Sequence, residues 1–276
     1  MSAVASTIGV ARSNLMDQMR ASIPRRRGRP AAPDDGLLAR IKGVIARMPT
    51  YGYRRVHAIL RRAAEEDGSL PAPNHKRVWR VMRDHGLLLQ RHAGGEERRH
   101  DGRVAVDERN RRWCSDGFEI GCDNGDRVRV AFALDCCDRE AMSFIATTGG
   151  IGSEHVRDLM VAAVEHRFGR VNRLPHTIEW LTDNGSCYIA HSTRNFATGV
   201  GLEPRTTPIK SPQSNGMAEA FVRTFKRDYV RVNAIPNAQS LMSLLPGWFD
   251  HYNNIHPHKA LRYRSPVEFI RATFTT

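Results

Sequence analysis

No apolar run in this 276-residue chain approaches the roughly 20 residues that a membrane-crossing helix needs, which excludes a helical span. The opening MSAVASTIGVARS has no apolar stretch ahead of a cleavage site, so no export signal is expected. Cysteine is scarce: the five, Cys114, Cys122, Cys136, Cys137 and Cys187, form no CxxC pair. An odd count without an export signal points to free, buried structural thiols in a reducing cytoplasm. No cysteine precedes Cys114, so the His-rich first third cannot build a His/Cys zinc module by itself. An excess of acid is also missing. The net charge is +13 and the pI about 10.2, which points to a polyanionic partner, DNA or RNA, or else an acidic membrane surface.

The charge is uneven. Residues 1–112 hold 24 Lys/Arg against 12 Asp/Glu, whereas residues 113–276 hold 18 against 17. The first part is therefore the candidate for gripping phosphates, and the second for the body that performs chemistry. Apolar residues make up 41% of the chain, enough for a sizeable core.

Residues 3–20 are expected to form a short helical pair, followed by a basic linker rich in Arg, Pro and Gly at 22–36. Residues 35–92 read as a small helical domain. Leu37, Leu38, Ile41, Val44, Ile45 and Met48 recur at helical spacing, and Pro49 stops that helix. Val56, Ile59, Leu60 and Ala63 mark a second helix. Asn74 is the expected cap of a third, with Val78, Val81 and Met82 inward. Lys76, Arg77, Arg80 and Arg83 fall largely on its other side, which suits a helix-turn-helix-like DNA reader. A plain three-helix bundle with a solvated basic face is the alternative. Residues 93–111 read as a linker.

From Arg112 the pattern changes. Three strand-like stretches, RRWCSDGFEIGC, DRVRVAFALDCC and EAMSFIATTG, are joined by Gly/Asp turns, with Asn124-Gly125 a hairpin signal. A helix at 152–169 follows, capped by Ser153 and stopped by Gly169. Next come a strand in HTIEWLTDNG, one helix in SCYIAHSTRNFATGVG, a short strand in EPRTTPI, and two long helices. This order, βββαβαβα, is that of an α/β ribonuclease-H-like fold: a mixed five-stranded sheet flanked by helices. The core with its C-terminal helical extension spans 112–276.

Three acids stand out in that frame: Asp116 in the first strand, Asp183 at the end of the fourth, and Glu219 in the next helix after the fifth. Three carboxylates brought together repel one another, and a divalent cation relieves that cost. An all-oxygen set suits Mg²⁺ or Mn²⁺, and a pair of such ions cuts and joins phosphodiesters. Lys226 lies seven residues after Glu219, on the same helix face, and Arg223 and Arg227 add charge there. SPQSNG at 211–216 is a turn-rich lead into that helix. Asn184-Gly185 forms a tight turn after Asp183. Trp113, Trp180 and Trp248 are expected in the core. His251, His256 and His258 lack a carboxylate or thiol at ligand spacing, so packing or DNA-backbone contact is expected of them.

At these motifs the chain resembles the integrase-core transposases of bacterial insertion sequences, the DDE class, and within it the second-frame product of the insertion-sequence-three family, insertion-sequence-two subgroup. RWCSDGFE, FALDCCDREA, EWLTDNGSCY, SPQSNGMAEAFVRTFKRDY and HYNNIHPHKALRYRSPVEF carry the likeness, with PTYGYRRVHAILRR and NHKRVWRVMRD upstream. It spans about Leu37 to Ile270. The resemblance places the metal-binding catalytic triad on Asp116, Asp183 and Glu219 and the helix lysine on Lys226. Relatives often have Ser where Ala220 stands and Thr where Phe118 stands; neither change removes a carboxylate. The resemblance further implies action on insertion-sequence ends and target DNA, two Mg²⁺ or Mn²⁺ ions, a homo-oligomer on paired ends, and an upstream-frame product fused or associated. It implies a cytoplasmic protein, nucleoid-associated when on DNA. A non-catalytic DNA-binding relic and a structure-specific nuclease are the competing readings; genomic context and strand-transfer assays separate them.

Overall fold

The computed structural model describes residues 2–19, 33–68, 71–90, 105–207 and 216–274. Contacts divide the chain into two units, Met1–Gly36 and Leu37–Thr276. The first carries the expected helical pair, α1 (Ser2–Thr7) and α2 (Arg12–Met19). Most of the basic linker, and much of 93–111, lie outside the described residues.

The second unit begins with three helices: α3 (Asp35–Arg47), α4 (Tyr53–Asp67) and α5 (His75–Asp84). Their apolar stripes close on one core containing Leu37, Ile41, Val44, Tyr51, Val56, Leu60, Val78, Val81 and Met82. Each fully buried side chain of this kind contributes about 1.5–3 kcal/mol. Asn74 caps α5, its side chain accepting from Lys76 N at 2.8 Å. Ala63, expected inward, is exposed, and Ala64 takes that place because Val56, Leu60 and Ala64 follow the four-residue ridge of the helix. Gly68, at φ 65°, ends α4 by donating its N–H to Ala64 O.

Five strands follow: β1 (Arg112–Gly121), β2 (Arg127–Asp135), β3 (Ala141–Thr147), β4 (Ile178–Thr182) and β5 (Leu202–Thr206). They lie in the order β3-β2-β1-β4-β5. The hairpins β1–β2 and β2–β3 are antiparallel, while β4 runs parallel to β1 and β5 to β4. This is the mixed sheet expected of a ribonuclease-H-like fold. The Asn124-Gly125 turn closes the first hairpin, with Gly125 at φ 90°.

Helix α6 (Ser153–Phe168) covers one face together with α8 (His191–Val200). Ser153 is the first helical residue of α6 rather than its cap. Gly152 caps it, its N–H donating to His155 Nδ1 at 3.0 Å. The single helix expected after Asp183 is two, α7 (Ser186–Ile189) and α8. Ala190 (φ −52°, ψ 137°) turns the chain between them so that Tyr188 and Ala197 share one core.

The other face packs α9 (Gly216–Asp228) and α10 (Ala238–Asn254) through Phe221, Phe225, Leu241, Leu245, Trp248, Phe249 and Tyr252. A terminal helix, α11 (Pro266–Phe274), was not anticipated individually. Trp113, Trp180 and Trp248 are buried as expected. Cys114 and Cys136 are buried, but Cys122, Cys137 and Cys187 are only half-buried. All five thiols are free. Among the described residues no helix is long and apolar enough to cross a membrane.

Candidate active site

Side chains alternate along β1. Trp113 packs toward α6, whereas Cys114, Phe118 and Ile120 pack toward α9 and α10. Asp116 shares the parity of Cys114 and Phe118 and so belongs to the α9 side. β1 pairs with β4 as far as Cys114 and Leu181, and Asp183 follows directly after the end of β4, close enough to Asp116 for its charge to act on that carboxyl. Glu219 sits in the first turn of α9, between the buried Ala218 and Phe221 that seat the helix on the sheet.

Asp116 is half-buried, while Asp183 and Glu219 are exposed. Burial lifts the Asp116 carboxyl to a pKa of about 6; the Gly117 N–H opposes that rise, and the charges of Asp183 and Glu219 reinforce it. Asp116 therefore senses both partner acids. Among the described residues, however, no three His, Cys, Asp or Glu side chains form a ligand cluster. The acids are neighbours in charge, not a closed coordination cage.

Backbone donors orient two of them. Gly117 N donates to Asp116 Oδ1 at 2.7 Å, and Gly185 N to Asp183 Oδ1 at 2.9 Å. A Cβ at Gly185 would lie 3.0 Å from Asp183 Oδ1 and 3.4 Å from Tyr188 Cδ2, so any larger residue there presses on the Asp183 carboxylate. Asn184 Nδ2 holds the turn to Thr207 O at 2.9 Å. Beneath the acids, Tyr188 OH and Ser115 Oγ are 3.1 Å apart. Burial raises the Tyr188 phenol, with Asp116 and Asp183 adding to the shift. Neither Ser115 nor Tyr188 was singled out in the sequence, since a lone Ser and Tyr carry no signal there.

The donor chemistry of the three acids suits a divalent cation, although among the described residues their side chains are not drawn into a ligand cluster. Three carboxylates, one of them held above its ordinary pKa by burial and by the other two, present charge that a hard cation relieves.

Lys226 Nζ lies 5.8 Å from the centroid of the Phe118 ring, two residues along β1 from Asp116. Phe118 is therefore more than a neutral replacement for threonine, because it presents an aromatic face to that ammonium. Arg223 is exposed. Arg227 is placed differently from expectation. Its guanidinium donates to both carboxylate oxygens of Asp228 at 2.6 and 2.7 Å, so it serves a buried junction. Thr50 Oγ1 (2.6 Å) and Arg55 (3.3 Å) donate to the same carboxylate, binding the helical domain to the end of α9.

On α5, Lys76 and Arg83 are exposed and Arg77 and Arg80 half-buried. Arg83 lies 4.9 Å over the ring of Trp79, an exposed aromatic that sequence reasoning passed over, and pairs with Asp84. These basic residues belong to α5 of the helical domain. SPQSNG lies outside the described residues except for Gly216.

FALDCCDREA spans the end of β2 and the turn after it. It builds a buried ion network in which Arg167 donates to both oxygens of Asp138 at 3.0 and 2.8 Å. His256 and His258 are buried and His251 half-buried, in line with packing.

The integrase core domain family matches residues 106–212, a second integrase core domain family residues 200–266, and an HTH-like domain family residues 32–93. The chain is 57% identical over 241 residues to transposase InsD of insertion element IS2A/D/F/H/I/K from Escherichia coli, covering 86% of this chain and 79% of that protein. It is also 57% identical to transposase InsD of IS2-9 from Escherichia coli strain K12, covering 86% and 78%. This chain belongs to the insertion-element transposases.

The transposase is thus a polynucleotidyl transferase with an integrase catalytic core, and it acts on DNA. Solved structures with some likeness include a simian T-cell lymphotropic virus intasome bound to PP2A regulatory subunit B56 gamma. There the identity is 16% and the TM-score 0.49, covering 77% of the transposase and 73% of that chain. The Mos1 transposase catalytic domain with Raltegravir and Mg is another, at 14% identity and TM-score 0.43, covering 51% and 71%.

Proposed function

We propose that the transposase cleaves DNA at the ends of its insertion element and joins the freed 3′-OH to target DNA, with Asp116, Asp183 and Glu219 as the catalytic carboxylates. The observation that carries this reading is the placement of the three acids: Asp116 half-buried on the central strand, Asp183 just after the adjacent β4 and Glu219 in the first turn of α9, close enough for their charges to act on Asp116.

Asp116, Asp183 and Glu219 would together hold Mg²⁺ or Mn²⁺, one ion or two, which when bound supplies Lewis-acid activation of water or 3′-OH and stabilises the leaving oxygen. In the first step water adds to the end phosphodiester and its 3′-oxygen leaves as 3′-OH. In the second that 3′-OH adds in line to a target phosphodiester and displaces a 3′-oxygen there. No bond to the protein forms in either step. The Gly117 and Gly185 N–H groups keep two carboxylates aimed. Lys226, steadied on Phe118, and the exposed Arg223 place positive charge beside the strand being cut. Lys76, Arg77, Arg80 and Arg83 on α5 add phosphate contacts that position the duplex without reading sequence. Assembly as a homo-oligomer on paired ends, association with an upstream-frame product and a cytoplasmic location complete the reading.

Asp116→Asn, Asp183→Asn and Glu219→Gln are each expected to lower end cleavage by about 10³-fold or more, roughly 4 kcal/mol of lost transition-state stabilisation. DNA affinity is expected to stay within severalfold of the parent. Labelled element ends resolved on a denaturing gel measure the first, and fluorescence anisotropy the second. Near-parental cleavage by any of the three variants sinks the assignment of that residue.

A further inference from the structure

A cavity of about 400 Å³ lies beside α9, lined by Arg55, Arg139, Thr224, His256, His258, Lys259 and Ala260. No Asp or Glu lines it. Arg55 is paired through the wall with Asp228 at 3.3 Å, and Asp228 is already held by Arg227 and Thr50. No carboxylate among the described residues forms an ion pair with Arg139 or Lys259. Arg139 also lines a smaller adjoining pocket of about 50 Å³ with Ala220, Thr224 and His258.

The two histidines supply a second, independent observation. His256 and His258 are 0% and 9% exposed, and the Nε2 of each is buried with no hydrogen-bond partner. Their other ring nitrogens are engaged. His256 Nδ1 meets Tyr51 OH at 2.9 Å, and the His258 ring bonds the backbone of Tyr252. A buried polar atom without a partner costs free energy that a ligand recovers. Arg139 adds a third sign. It holds φ 63°, a conformation that suits Gly or Asn and is strained for arginine, and strain of this kind persists where it serves a site.

We infer that this cavity binds a phosphate oxyanion, through Arg139, Lys259, Arg55 and the Nε2–H of His256, with the neutral His258 ring forming part of the wall, and that the anion is a backbone phosphate of the DNA being processed. Thr224 sits five residues after Glu219 on the same helix, about 7.5 Å along its axis, so the cavity and the acid site flank one element. A strand passing the acids would be held at a second point by a group that carries no sequence information. Only the source of the anion rests on the transposition reading; the pocket chemistry stands without it.

The test uses the full chain. Calorimetric titration with inorganic phosphate is expected to show one site, weakened at least tenfold in Arg139→Gly/Lys259→Gln. Glycine suits φ 63° and Lys259 is exposed, so both changes spare the fold; an unchanged urea midpoint verifies that, and Lys259→Gln alone serves as the milder variant. With a labelled duplex, the slope of log affinity against log salt is expected to fall by about 1 to 2 in the double variant. Phosphate binding that is lost with an unchanged salt slope assigns the pocket to a free anion and overturns the DNA source. No phosphate binding by the parent, or equal binding by the double variant, overturns the pocket itself. Asp116→Asn is expected to keep both the phosphate titration and the salt slope while losing cleavage, so failure of the catalytic reading registers in a different measurement.

Discussion

Asp183 and Gly185 show how little room the site leaves at the scale of one residue. Gly185 has an ordinary backbone (φ −58°, ψ 139°), so alanine is not strained there; its Cβ simply arrives 3.0 Å from the Asp183 carboxylate. Gly185→Ala is therefore expected to cost under about 1 kcal/mol of stability in urea unfolding. If Asp183 is catalytic as proposed, displacing its carboxylate by a fraction of an ångström is expected to lower cleavage by about tenfold to 100-fold. Full cleavage by this variant would show that the Gly185 contact does not aim the acid. The sequence made Asp183 legible as an acid after a strand and before a tight turn. It did not show Tyr188 and Ser115 beneath it, because both reach the site from elements whose relative placement is tertiary.

Helix α9 joins a proposed catalytic acid at one end to a buried junction at the other. Glu219 is in its first turn, and Asp228 closes its last. Asp228 is fully buried and accepts from Thr50, Arg55 and Arg227, gathering residues more than 170 positions apart. Removing a buried acid strands its cationic partners in a poor solvent. Asp228→Ala is expected to destabilise the second unit by about 3 kcal/mol. Thr50→Ala, which deletes one donor, is expected to cost about 1 kcal/mol. Urea unfolding followed by far-UV circular dichroism measures both, and equal losses from the two changes would contradict this ranking. The existence of α9 was legible from its apolar spacing, and Arg227 was expected on its DNA-facing side. The spacing could not reveal that the adjacent Asp228 would be buried and claim that guanidinium. Helix α10 gives the converse case. Pro246 inside it removes a backbone bond at a cost of about 3 kcal/mol. Burial of Leu241, Leu245, Trp248, Phe249 and Tyr252 outweighs that at about 1.5–3 kcal/mol each. The apolar pattern was the better guide.

Across the whole molecule, buried titratable groups set opposing pH dependences. Burial lowers the His258 pKa from 6.5 to about 3, and drives His256 down as well. Between those values the unfolded chain holds the extra proton, so stability from His258 is lost as pH falls from 6.5 toward 3. Asp116 and Asp138, raised from 3.8 to about 6, act in the reverse sense: the folded chain holds their protons, and stability is lost as pH rises through 3.8 to 6. The net slope is thus a partial cancellation, and a variant difference isolates one group. Moving from pH 6.5 to 5.0 is expected to destabilise the parent by about 1.5 kcal/mol more than His258→Gln, read from urea midpoints at each pH. Identical pH dependence in both proteins would mean that His258 is solvated and titrates normally.

Strand and helix periods, the Asn74 cap, the Asn124-Gly125 turn, the basic first part and the three candidate acids are properties of neighbouring residues, and the amino-acid order alone determined them. Packing decided the rest. The pairing of β4 beside β1 put Asp183 within electrostatic reach of Asp116, and the seating of Ala218 and Phe221 on the sheet did the same for Glu219. Closure of the second unit brought Arg55, Arg139, Thr224 and His258 to one cavity. The physical reason is range. Propensity and periodicity act over a few residues, whereas burial and Coulomb coupling depend on distances that exist only once remote segments have packed together.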